Sequence, residues 1–311
     1  MSRLTLPYIN ALQLVEVQPS QIRQYQSLHM DDYLLYNRLN QWQVGNYANP
    51  WLRSDSIYLQ VQTNTGQPTV NVIDKNGTVV IGPQLMIQRQ QNPYDPGTYI
   101  YESATSLNAL QEGNCYWFRI TTGSISLISE PLLAYEDYPN SLLIQYKHRK
   151  FYADVIFETG IEMNLRIPGL LNTKPPASKD TLYEDQVLDQ TMIKSIPHRL
   201  WEIYAGVGVR LPDYMIDKLN RIFGCSSVRI DGRYYTKNDG FKWEQVDEEQ
   251  NTLFYAYKGE LREMINRNSK IIEPGTNTNE YVTIVGLVDL KGFADTSESA
   301  SSNIVQFEDI E

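Results

Sequence analysis

Apolar side chains in this chain recur mostly at alternate positions, in short runs broken by turn residues. Ile57, Leu59 and Val61 alternate with Tyr58, Gln60 and Gln62, the period of a strand with one face on a core. Downstream, TVNVID, LMIQR, TYIYE, CYWFRI, ISLI and LLIQY are each short and strand-prone. The segments around them carry turn chemistry: NTGQ at 64–67, DKNG at 74–77, YDPG at 94–97, EGN at 112–114, TTG at 121–123 and YPN at 138–140. Helical periodicity is absent here. Strands at this spacing predict an immunoglobulin- or fibronectin-like β-sandwich over residues 51–147.

The pattern changes period once. Residues 196–236 read as a strand, a Gly-containing loop, an amphipathic helix over 212–223 and a tight hairpin. Pro212 is tolerated as a first helical residue, because that N–H would lack an intrahelical partner anyway. Asp213 places negative charge at the positive end of the helix dipole. Met215, Ile216, Leu219, Ile222 and Phe223 share one helical face, and Gly224 offers a left-handed stop. Asp231-Gly232 suits a type I′ turn.

Around that helix lies a second expected β-domain, residues 148–294. FYADVIFETGIEMNLRI reads as two strands about Thr159-Gly160, with Met163, Leu165 and Ile167 alternating inward. LNTKPPASKD reads as a polar loop, while HRLWEIYAG, FKWEQVD, LFYAYKGELREMI and NEYVTIVGLVDLKG read as strands. Residues 1–50 form an N-terminal region in which LQLVEVQ is a short strand or arm, and MDDYLLYNRLNQW fits a short helix or a strand. Residues 295–311 read as a solvated acidic tail. The expected fold is mainly β: two β-sandwich-like domains, the second flanked by one helix.

Composition narrows the functional classes. At 311 residues, with 41% hydrophobic and 21% charged residues, the chain has the make-up of a soluble globular protein of about two domains. A net charge of −10 argues against nucleic acid as the main partner, and no apolar run reaches membrane-spanning length. MSRLTLPYINAL lacks the apolar core of a secretory signal, so synthesis in the cytosol is expected. Cys115 and Cys225 are read as buried thiols. Tyr outnumbers Phe by 22 to 8, which suits half-exposed sheets and interfaces.

Catalytic parts are scarce. Gly206-Val207-Gly208 lies between a strand and a helix but lacks the third glycine of a dinucleotide fingerprint. With His29, His148 and His198 as the whole histidine complement, metal and triad chemistry lacks components, and there is no HExxH, CxxC, GxSxG or phosphate-cradling glycine loop. His148, inside KHRK, reads as a solvated charge, and the acidic pairs Glu184-Asp185 and Asp247-Glu248-Glu249 as solvated loop residues. No enzyme, cofactor or metal is expected. The candidate functional residues are interface residues instead: Trp42, Trp51 and Tyr58, with the helix's polar face of Asp217, Lys218 and Arg221. A glycan-binding β-protein using exposed Trp and Tyr is the alternative.

Four segments carry a resemblance: NPWLRSDSIYLQVQTN, SEPLLAYEDYPNSLLIQYKH, FYADVIFETGIEMNLRIPG, and PHRLWEIYAGVGVRLPDYMIDKLNRIFGCSSVRIDGRYYTKNDGFKWE. Together, over most of residues 45–265, they resemble a family of virion-associated structural proteins of tailed bacteriophages and prophages of Bacteroidetes-type bacteria. The resemblance implies a non-enzymatic component of the tail or head–tail connection. Its implied partners are copies of itself in a ring and other virion proteins, and its implied location is the particle. Closed rings need two different complementary surfaces on each subunit.

Overall fold

A computed structural model describes residues 3–17, 48–184, 190–207, 211–246 and 254–264. The fold is mainly β, and Asp213–Ile222, here α1, is the one α-helix among the described residues. Trp42, MDDYLLYNRLNQW, the final predicted strand and the acidic tail lie outside them.

Strand alternation between Leu4 and Tyr135 builds two facing sheets. The first has the order Leu4–Thr5, Ser56–Thr63, Tyr99–Ser106, Ile87–Gln91, all antiparallel. The second is centred on Cys115–Thr122, which pairs with Ile125–Ser129, Leu132–Tyr135 and Thr69–Asp74. Leu14–Val17 and Asn49–Leu52 extend it on Ile125–Ser129 and Leu132–Tyr135, and Val79–Leu85 extends it on Thr69–Asp74. Ile57, Leu59, Val61 and Tyr101 from the first sheet meet Trp51, Val70, Val72, Phe118, Ile120 and Leu127 from the second in one buried cluster. That is a β-sandwich.

The third sheet closes on itself. Its order is Leu200–Ala205, Met163–Thr173, Ser141–Lys147, Ser227–Ile230, Arg233–Lys237, Tyr257–Glu263, and the last strand pairs back onto Leu200–Ala205. Six antiparallel strands thus form a small barrel whose ring has no free edge. Met163, Leu165 and Ile167 point inward as their alternation requires, joined by Ile144, Tyr146, Ile203, Ile230 and Leu261. α1 adds Met215, Leu219, Ile222 and Phe223 to the same core. Ser141–Lys147 belongs to this barrel, so the barrel begins before the KHRK cluster at 147–150. Sandwich and barrel together lie within one compact unit, Met1–Glu263.

Local chemistry matches prediction at the Asp231-Gly232 turn, where both residues have positive φ, 47° and 84°. Three expectations are corrected. Gly224 is not a left-handed stop: α1 ends at Phe223 in right-handed geometry, and the glycine is required because a Cβ there would lie 2.2 Å from the Tyr152 hydroxyl. LNTKPPASKD is not all loop, since Met163–Thr173 runs into it and Ala177–Glu184 starts inside it, leaving the prolines in the short link between. The His148 side chain is not merely solvated: its Nδ1 accepts the Ser226 N–H at 3.0 Å and its ring stacks on Tyr152.

Candidate functional site

The predicted interface residues do not form one patch. Trp51 is fully buried in the sandwich core, because its strand pairs in parallel with Leu132–Tyr135 and turns the indole inward. Lys218 is also buried. Its ammonium donates to the Asn10 carbonyl at 3.1 Å, and burial pulls it below its ordinary pKa of 10.5, against the opposing charge of Glu130. Neither residue has surface to give a neighbour, so both assignments are corrected. Asp217 and Arg221 remain exposed as an i,i+4 ion pair at 3.0 Å, with Arg221 also 4.6 Å over the Tyr8 ring. Tyr58 is half-buried at a seam between sandwich and barrel.

That seam is polar and largely buried. Gln60 and Gln62 were expected on a solvated face, yet both are buried. The Gln60 side chain behaves like a stretch of strand: its Oε1 accepts the Ile156 N–H at 2.9 Å and its Nε2 donates to the Ile156 carbonyl at 3.0 Å. Gln62 donates to the Asp154 carbonyl at 2.7 Å, holding a turn whose two non-glycine residues, Ala153 and Asp154, have positive φ. Glu102, buried, accepts from Gln60, from Thr159 at 2.5 Å and from Arg89 at 2.7 Å. Asp55 and Arg166 form a buried bidentate pair at 2.6 and 3.0 Å. Beside α1, the Tyr214 hydroxyl donates to buried Glu130, and the Tyr8 hydroxyl donates to the Tyr214 carbonyl at 3.3 Å. Gln60, Gln62, Glu102, Asp55 and Glu130 each hold a partner across the seam, so the two cores are held in register.

Sequence reasoning missed these residues because each looks like ordinary strand or turn polarity. The available signal was the Gln60/Gln62 pair, where amides rather than charges alternate with aliphatics.

Open backbone lies elsewhere. Among the described residues Val79–Leu85 pairs only with Thr69–Asp74, and Ile87–Gln91 only with Tyr99–Ser106. Both strands are exposed almost throughout, with Leu85 at 66% and Ile87 at 55% accessibility, while Met86 between them is pinned in the core. A long hairpin, Ala177–Glu184 with Gln190–His198, pairs with nothing but itself among the described residues. Its base is narrow: the Lys174 N–H donates to the Leu200 carbonyl at 2.9 Å.

The thiols of Cys115 and Cys225 are unpaired with each other, and burial raises both, Cys225 to about 12. Among the described residues no group of His, Cys, Asp or Glu is arranged to hold a metal ion, and no helix is long and apolar enough to cross a membrane. Comparison with protein-family models, with curated proteins and with solved structures finds no match to this chain.

Proposed function

We propose that this chain is a non-enzymatic structural subunit that assembles with copies of itself and with other structural proteins of a tailed phage particle, in the tail or at the head–tail connection. The virion setting comes from the sequence resemblance. The observation that carries the assembly reading is the Ala177–His198 hairpin. An isolated two-stranded ribbon is marginal in water, and this one, to which no further strand pairs among the described residues, gains by adding to another sheet. The barrel ring has no edge for it, whereas the sandwich carries two open, partly apolar edge strands. Hairpin and edges are different surfaces on one subunit, the requirement for a closed ring.

The narrow base permits a clean test. Residues 175–199 are replaced by a short Gly-Ser turn joining Lys174 to Leu200, and the masses of wild type and variant are measured by mass photometry. Wild type is expected as a multimer, and the hairpin-less protein as a monomer with an intact melting transition. A wild-type chain that stays monomeric, alone and mixed with the virion proteins encoded beside it, refutes the proposal.

A further inference from the structure

The seam between sandwich and barrel leaves a cleft of about 290 Å³, one wall of which, Ile87 and Arg89, comes from an edge strand of the sandwich. Its floor is Glu102, and Tyr58, Ile87, Arg89, Gln145 and Glu162 stand around it. We infer that this cleft binds a neutral saccharide, a pyranose unit at the end of a glycan.

The argument rests on which groups are already committed. Both Glu102 oxygens are occupied, one by Gln60 and Thr159 and the other by the Arg89 Nε–H. Glu162 receives the Arg229 guanidinium at 2.6 Å. A cation therefore finds no free carboxylate pair to coordinate. An anion is disfavoured too, because the lining holds two carboxylates against one guanidinium. What remains uncommitted is a mixed set of donors and acceptors. The Tyr58 hydroxyl and the Gln145 amide make no hydrogen bond among the described residues, and the two outer nitrogens of Arg89 are likewise unspent. Hydroxyl-rich ligands both donate and accept, which this set of donors and acceptors matches. Tyr58 and Ile87 add apolar wall for the C–H face of a sugar ring. The volume sits at the small end of ligand cavities, so one ring fits rather than a long chain.

The groups also come from both halves of the fold. Tyr58, Ile87, Arg89 and Glu102 belong to the first sandwich sheet, Gln145 to the barrel and Glu162 to the approach to its Met163 strand. Asn164 fixes their spacing by donating to the Ser56 carbonyl at 2.6 Å and accepting the Tyr58 N–H at 3.4 Å. The site is thus preformed.

Glucose, galactose, mannose and N-acetylglucosamine, titrated separately into the full chain and read by saturation-transfer NMR, test the inference. A ligand of about a dozen heavy atoms should bind on the order of millimolar. At least one of the four is expected to saturate, and Gln145→Ala and Tyr58→Leu should each weaken it about tenfold. Gln145→Ala decides the matter if Tyr58→Leu fails to fold, because the Gln145 side chain makes no hydrogen bond among the described residues. No saturation by any of the four overturns the inference. So does saturation that Gln145→Ala leaves unchanged. Mass photometry of Gln145→Ala separates this result from the assembly proposal, which predicts an unaltered multimer.

Discussion

At the residue scale, Lys218 shows how a helical wheel can mislead. Asp217, Lys218 and Arg221 share a polar sector in sequence, yet two of them face water and one is sealed against Asn10. The difference is context: Asn10 and Glu130 reach α1 from the sandwich, from positions far away in sequence. Burial lowers the folded-state pKa of Lys218 below 10.5. Over the window between that lowered value and 10.5 the unfolded chain binds more protons, so the group's contribution to stability rises with pH. Below the folded pKa the cost of the buried charge is fully present. Lys218→Met removes this titration, and groups common to both chains cancel in the difference. The stability of wild type minus that of Lys218→Met, from urea unfolding at about pH 7 and about pH 10, should therefore shift in favour of wild type at the higher pH. A difference that does not move would show that the ammonium is solvated.

At the element scale, short-range signals were legible and their reasons partly were not. Helix α1 could be read because its apolar face is local, and Met215, Leu219 and Ile222 are buried as the 3.6-residue period demands. The stop at Gly224 was placed correctly for the wrong reason. Its φ is not positive; the hydroxyl of Tyr152, which donates to the Arg221 carbonyl at 3.1 Å, occupies the space a side chain would need. No sequence window contains both residues. Gly224→Ala should cost about 1–3 kcal/mol by overpacking. Adding Tyr152→Phe should recover part of that loss, since the closest atom is the hydroxyl oxygen at 2.2 Å. A double-mutant cycle by chemical denaturation measures the coupling, and purely additive costs would contradict the contact. The long hairpin escaped prediction for a different reason. Pro175-Pro176 announce a break, and ASKDTLYE after them lacks the apolar alternation that marks a strand, although its pairing partner Gln190–His198 is near in sequence.

At the scale of the whole molecule, two cores share one compact unit, and what joins them was the least legible feature. Hydrophobic alternation located both cores, because successive side chains of a strand point to opposite faces and one face packs on the core. Closure of the barrel depends on Leu200–Ala205 pairing with Tyr257–Glu263, a long-range register that alternation cannot encode. The seam is harder still, since its contacts are polar and partner-specific. Gln60 is the central case, satisfying the N–H and the carbonyl of Ile156 together with Glu102. Its own backbone N–H and carbonyl are held by the Asn10 side chain at 3.0 and 2.9 Å. Gln60→Ala leaves the Ile156 N–H without the Gln60 acceptor and takes one donor each from the Ile156 carbonyl and Glu102, at a cost of about 1–3 kcal/mol. That cost falls on the junction rather than on either apolar cluster, since Gln60 belongs to neither. Wild type should melt in a single calorimetric transition, because sandwich and barrel lose their seam together. Gln60→Ala should divide the trace into two steps, with the calorimetric enthalpy exceeding the van't Hoff value. If it only lowers the midpoint of one two-state transition, the apolar cores rather than the polar seam carry the cooperativity of this fold.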